Sequence, residues 1–194
     1  MGRKKEISTD SILDAAEQVI GQMGVAKLTI DAVAAQARIS KASVLYVHKT
    51  KQGLLEALVS RAMERDDLLH HEMELTLGTQ HSVALKGRIE VAKTPPPEEF
   101  RPIALSLSSA LILHEDLRKT MQQHQSEVIE RIKTTSLNPR GAMLAYLALE
   151  GFKFLDHLDF HKWTNDERAQ ILAELNWLAD QDVPAMKMKG ASDV

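Results

Sequence analysis

Thr29-Ile30-Asp31-Ala32-Val33-Ala34-Ala35-Gln36-Ala37-Arg38-Ile39-Ser40-Lys41-Ala42-Ser43-Val44-Leu45-Tyr46 is the stretch on which the fold turns. Thr29 and Ser40 each precede a short run with apolar residues at helical spacing: Ile30, Val33, Ala34 and Ala37 in the first, Val44 and Leu45 in the second. A hydroxyl at that position satisfies a backbone amide that the first helical turn leaves unpaired. Only Arg38 and Ile39 separate the two runs, the spacing of a helix-turn-helix in which one helix braces and the second enters a major groove. Polar side chains gather on the second helix, where Lys41, Ser43, Tyr46 and His48 offer donors and acceptors while Val44 and Leu45 anchor it inward. Lys51 follows Thr50 at the start of the next helix, where a cation and free amides together suit a phosphate, and Thr29 is placed to do the same on the bracing helix. The same caps and polar face also fit an ordinary solvated surface, because short capped helices are common.

Outward from this stretch, apolar residues recur at helical spacing and no run alternates, which predicts an all-α chain. A first helix starts near Ser8 or Thr9, carries Ile12, Leu13, Ala16, Val19 and Ile20, and ends between Gly21 and Gly24. Thr50 caps a long helix reaching to about Leu77 before Gly78, and a short helix spans Val83 to Val91. The prolines of Thr94-Pro95-Pro96-Pro97 lack donors and force a loop. Pro102 is then expected to open a helix that is apolar or small nearly all round, and so to sit enclosed at the centre of the second half. A helix from about Glu115 to Thr135 follows, then one begun by Asn138-Pro139, then one opened by the capping box Thr164-Asn165-Asp166-Glu167. The expected division is a three-helix helix-turn-helix domain over 1–56, a larger helical ligand-binding and dimerisation domain over 57–182, and a tail over 183–194.

Of the 194 residues 44% are hydrophobic and 26% charged, which fits a globular chain and argues against wholesale disorder. With no cysteine there is no disulfide framework, thiolate zinc site or cysteine nucleophile. The formal net charge of −3 hides an asymmetry: residues 1–60 hold eight Lys and Arg against six Asp and Glu, and the remainder is net negative, so a polyanion prefers the N-terminal third. Ile103 to Leu113 is too short for a bilayer, and the basic Met1-Gly2-Arg3-Lys4-Lys5 is followed by polar residues, so neither a membrane span nor a secretory leader is expected.

Ile12-Leu13-Asp14-Ala15-Ala16, Gly24, Leu28-Thr29-Ile30-Asp31-Ala32-Val33-Ala34, Ile39-Ser40-Lys41-Ala42-Ser43-Val44-Leu45-Tyr46 and Lys49-Thr50-Lys51-Gln52-Gly53-Leu54-Leu55 together resemble the N-terminal DNA-binding domain of the TetR/AcrR family, in order and spacing over residues 8 to about 58. Ala145-Tyr146-Leu147-Ala148-Leu149-Glu150-Gly151-Phe152-Lys153-Phe154-Leu155 is similar to one C-terminal subgroup. The resemblance implies a cytoplasmic homodimer, most often a repressor, that binds a palindromic operator in double-stranded DNA and is released by a small-molecule effector, with no cofactor. It also exposes departures. Arg38 and Ala42 stand where the family often has glycine, Tyr46 to Lys51 is one residue shorter than the commonest pattern, and a frequent aromatic before the next helix is replaced by His48 and Lys49.

On this basis Thr29, Tyr46 and Lys51 are assigned to phosphates, Lys41, Ala42, Ser43 and His48 to base edges, and Ser40 to the cap that aims them. Phe100, Leu107, Leu111, His124, Met143 and Phe152 are candidates to line a ligand pocket, although core packing also accounts for them. His124 stands out because it interrupts the stripe between Met121 and Val128. Leu147, Gly151, Phe154 and Leu155 on one helix and Leu172, Leu175 and Leu178 on the next exceed what one domain face needs, which points to a dimer seam, with burial within a monomer the alternative. His157 and His161 lack further ligands, so no metal is expected. No paired carboxylates in apolar settings, phosphate-cradling glycine loop or nucleophile motif occurs, so an enzyme is not indicated. An interaction bundle that ignores DNA remains the other class, and it predicts that Lys41 and Lys51 are dispensable.

Overall fold

A computed structural model describes residues 8–98 and 100–185; the basic Arg3-Lys4-Lys5, the tail beyond residue 185 and the side chain of Phe100 lie outside the described residues. The chain is helical throughout, with no strand among the described residues: α1 (Thr9–Met23), a single 3₁₀ turn (Val25–Lys27), α2 (Ile30–Ala37), α3 (Lys41–His48), α4 (Lys51–Leu77), α5 (Val83–Val91), α6 (Phe100–Leu113), α7 (Glu115–Thr135), α8 (Pro139–His157) and α9 (Asn165–Leu178). Local chemistry sets most of these limits. Ser8 Oγ accepts from the Ser11 amide to start α1, and Gly24 ends it at φ 78°, where a side chain would be strained. At α9 the expected capping box forms, with Thr164 and Glu167 each accepting from the other's backbone amide. Helix α6 starts two residues before the expected Pro102, which is tolerated because proline in the first turn removes an amide that has no helical partner.

The packing separates into two compact units. In the first, residues 8–68 associate with 96–124 and 157–160. Its core is built from Ile12, Ala16, Val19 and Ile20 of α1, Leu28, Val33 of α2, Val44 of α3, and Leu54 and Leu58 of α4, all at most 1% exposed. Each Val, Leu or Ile side chain among these contributes about 1.5–3 kcal/mol by leaving water. A buried guanidinium bolts α4 to α1: Arg61 Nη1 donates to Asp14 Oδ1 at 2.7 Å and to the Asp10 carbonyl at 3.3 Å, and Arg61 pairs with Glu17.

One expectation is overturned here. Helix α6 does not form the centre of the second half; its contacts run to α1 and the 3₁₀ turn, and Ile103, Leu107, Ala110 and Leu111 pack against the first core. Leu105 and Ile112 stay exposed. A helix apolar on every side carries no directional signal, so the stripe that found a complementary surface decided where it lies.

The second unit comprises residues 69–95 and 125–156 with the described part of 161–194. Leu85 and Ile89 of α5, Ile132 of α7, Ala142, Ala145, Tyr146, Leu149 and Phe152 of α8, and Leu172 and Leu175 of α9 form its core. Gly141 lets α8 start against the end of α9, since a Cβ there would lie 2.7 Å from the Leu178 carbonyl and closer still to that of Gln181. Asp180 receives Ser82 Oγ and Lys86 Nζ, which fixes that end.

Candidate nucleic-acid interface

Helix α2 begins where Thr29 Oγ1 accepts from the Ala32 amide at 3.0 Å. It ends at Arg38, whose backbone adopts the left-handed conformation at φ 56°, ψ 43°. There the Arg38 amide closes on Ala35 O and the Ile39 amide on Ala34 O. A non-glycine residue in that region costs about 1–2 kcal/mol, which the packing of Ile39 against the first core offsets. Ser40 Oγ then accepts from the Ser43 amide at 3.1 Å and shares a 2.8 Å bond with Ser43 Oγ, so both hydroxyls serve the start of α3.

Val44 is the buried anchor of α3, with Leu45 and Val47 half-buried beside it. On the opposite side Ala42 is exposed and Tyr46 is 87% exposed, an extreme value for an aromatic, and Lys41 is exposed at the start of the helix. Lys41 Nζ lies 2.8 Å from Asp31 Oδ2. Both partners are more than half exposed, so the pair contributes about 0–1 kcal/mol, and Lys41 can exchange that carboxylate for another anion. Lys51 and Thr50 are exposed at the start of α4, where the amides of Lys51 and Gln52 precede the first intrahelical bond. Thr29, Lys41, Ala42, Tyr46 and Lys51 are thus all accessible on the helix-turn-helix and its flank, and Ser43 is half-buried with its hydroxyl engaged.

His48 is placed differently. It is 9% exposed, Nε2 has no partner among the described residues, and burial lowers its pKa below 6.5, which favours the neutral ring. The side chain is therefore withdrawn from solvent and does not join Tyr46 on the exposed surface. Its direction follows from the connection after it, which sequence reasoning missed in detail. Lys49 sits at φ 53°, ψ −43° and the Thr50 amide donates to the His48 carbonyl, a γ-turn with positive φ, a rare and strained form. Thr50 Oγ1 then caps α4 by accepting from the Gly53 amide at 3.0 Å. A Cβ on Gly53 would meet the His48 carbonyl at 2.6 Å, so this turn requires glycine one helical turn into α4. The visible signal was the missing residue between Tyr46 and Lys51.

The other sequence candidates divide between the units. Leu107 and Leu111 pack against the first core, and in the same unit His124 Nε2 lies 2.9 Å from both carboxylate oxygens of Asp67, with Nδ1 buried and without a partner among the described residues. Met143 packs on the second core, to which Phe152 belongs, stacked on Trp163 with centroids 5.1 Å apart. Of the seam candidates, Leu147 is 60% and Phe154 55% exposed, and Leu155 and Gly151 are also exposed. Leu172 and Leu175 are instead buried in the second unit's own core, and Leu178 is half-buried. The exposed apolar residue of α9 is Trp177, at 64%, accompanied on α8 by Leu144. No group of three or more His, Asp or Glu placed to hold a metal occurs among the described residues, and no described helix is long and apolar enough to cross a membrane.

Comparison with known proteins places this geometry. Residues 12–58 match the model of bacterial regulatory proteins of the tetR family, and residues 85–180 match a tetracyclin repressor-like C-terminal domain. A TetR transcription regulator from Haloarcula marismortui ATCC 43049 superposes with a TM-score of 0.71 at 18% identity, over 88% of this chain and 95% of that one. A member of the TetR family from Streptomyces coelicolor A3 gives 0.69 at 20% identity, over 86% and 96%. The multidrug binding protein EbrR complexed with ethidium gives 0.64 at 20% identity, again over 86% and 96%. No curated protein matches by sequence.

Proposed function

This chain belongs to the TetR family of DNA-binding transcriptional regulators, and from that premise we propose that it is a homodimeric repressor that leaves a palindromic operator when a small molecule binds its C-terminal domain. The observation that carries the reading is Tyr46: an aromatic ring with a hydrogen-bonding tip, 87% exposed, on a helix whose opposite side is locked into a core by Val44. A rigid helix that presents such a side chain between Lys41 and Lys51 fits a groove lined by phosphates. Thr29, Tyr46 and Lys51 take phosphates, while Lys41, Ala42 and Ser43 approach base edges, Ser43 with its hydroxyl shared with Ser40. His48, buried and neutral, acts by setting the exit of α3 rather than by touching a base.

Self-association is carried by the outer face of α8, where Leu144, Leu147, Gly151, Phe154 and Leu155 recur at helical spacing, joined by Trp177 of α9. To meet two half-sites one turn of DNA apart, the dimer must present its two copies of α3 at a spacing of about 34–36 Å. Ligand release works through α4, which belongs to the first unit up to Leu68 and to the second beyond it. A ligand that favours a different setting of α4 changes the half-site spacing by its differential affinity for the two states. The crystallised complexes of EbrR with ethidium and malachite green support a small-molecule effector by analogy. A cytoplasmic location, where a DNA-binding regulator meets its operator, is part of this proposal.

The test is selection from random duplexes at two salt concentrations, with a Tyr46→Ala, Lys51→Ala double variant alongside. Enrichment of a palindrome, weakened by salt and lost in the variant, is the expected result. No enrichment, or equal behaviour of the two proteins, overturns the reading.

A further inference from the structure

Within the second unit, α5 and α9 border an open-sided cavity of about 580 Å³, a size that takes a small organic ligand. Its apolar lining comes from Ile89 of α5 and from Ala169, Leu172 and Ala173 of α9. Asn165 and Asn176 stand along the α9 wall, about 16 Å apart on the helix axis, and Glu90 and Lys93 along the α5 wall.

Arg168 gives this hollow its chemistry. Its side chain borders the cavity yet is only 6% exposed. Nη1 donates to the Ala92 carbonyl at 3.0 Å, Nη2 donates to Asp156 Oδ1 at 2.8 Å, and the guanidinium lies over the Phe152 ring, 5.0 Å from its centroid. A guanidinium carries five N–H donors, so these two bonds leave donors unused among the described residues on a group already withdrawn from bulk water. Charge, by contrast, is balanced: Asp156 neutralises Arg168, and Glu90 holds Lys93 at 2.6 Å. An added carboxylate would shed its hydration for a guanidinium already shared, and an added cation would meet one; an uncharged acceptor meets neither penalty.

We infer that the α5–α9 groove binds an uncharged, elongated amphipathic small molecule, whose carbonyl or hydroxyl oxygen accepts from Arg168 and whose apolar body lies along Ala169 and Ala173. The carboxamides of Asn165 and Asn176 meet polar groups at the ends of the ligand. The inference does not depend on DNA binding.

Octanamide is the probe, with octanoate and octylamine as charged controls, titrated into the full-length protein and followed by amide chemical shifts. Octanamide is expected to give saturable shifts at Ala169 and Ala173 with a Kd about fivefold or more below either control. Ala173→Trp, at an exposed position that needs no core rearrangement, fills the groove and raises that Kd about tenfold with the melting temperature unchanged. Arg168→Lys keeps the charge but loses the fork, and weakens octanamide while leaving octylamine unchanged. Absence of saturable shifts, equal binding of the three head groups, or undiminished binding to the filled variant overturns the inference. If Ala173→Trp fails to fold, Ala169→Leu supplies the same reading. Duplex binding of the ligand-free samples is measured in parallel, so failure here is distinguishable from failure of the regulator reading.

Discussion

Helix α3 and helix α8 both leave large side chains in water, and the contrast between them separates two kinds of surface. On α3 the exposed aromatic is a single tyrosine among Lys41, Ala42 and the polar start of α4, with no apolar neighbour to complete a patch. On α8 the exposed residues are Leu144, Leu147, Phe154 and Leu155, purely apolar and at helical spacing. A lone amphipathic ring beside cations suits a polyanion, because its edge bonds while its body packs on sugar and base. Contiguous hydrocarbon suits another protein, because only burial relieves it. Both sets are exposed; the neighbours decide the meaning.

The contrast breaks most sharply if the α8 face is charged. Leu147→Glu with Phe154→Glu is expected to convert a dimer to monomers, read as a halved mass by light scattering, while the helical content of each protomer stays, since neither side chain belongs to a core. Tyr46→Ala with Lys51→Ala is expected to lower operator affinity about 10- to 100-fold and to reduce the slope of log K against log salt by about 1, with the mass unchanged. If the α3 variant alters mass, or the α8 variant spares it, the division between the two surfaces fails.

Smaller effects sharpen the account of how α3 is aimed. Gly53→Ala puts a Cβ against the His48 carbonyl, so a loss of about 1–3 kcal/mol is expected on chemical denaturation. An unchanged midpoint would mean that the γ-turn at Lys49 is relaxed in solution. His48 adds a pH dependence whose sign follows from its lowered pKa. The ring is neutral in both states above pH 6.5; below that the unfolded chain takes a proton before the folded one, so stability falls as pH drops from about 6.5 through the lower folded pKa. His48→Gln is expected to flatten that part of the profile. Least of all, Lys41→Ala is expected to change stability by under about 1 kcal/mol, because its pair with Asp31 is exposed.

Much of the candidate interface was legible in advance because its signals act over three or four residues. The hydroxyls of Ser8, Thr29, Ser40, Thr50 and Thr164 all cap the helices expected of them. Arg38 stands where the family often has glycine, and it does take the left-handed conformation. What was not legible concerns direction. Spacing alone put His48 beside Tyr46, yet two residues on a helix lie on different sides, and the short connection draws His48 inward. On α9 the leucines fit an inner or an outer stripe equally well, and the structure turns Leu172 and Leu175 in and Trp177 out.

Residue chemistry by itself was enough to indicate that the chain is all-helical, where most of its helices begin, and that two of them form a helix-turn-helix. Caps, glycines and prolines act largely within one turn, so their signals can be read from neighbouring residues. Tertiary structure alone decided that α6 packs on α1, that His48 is buried, that Gly53 must lack a side chain and that Arg168 borders a cavity. Each of these depends on which surface a distant segment supplies, and burial and close contact are properties of the pair, not of either partner.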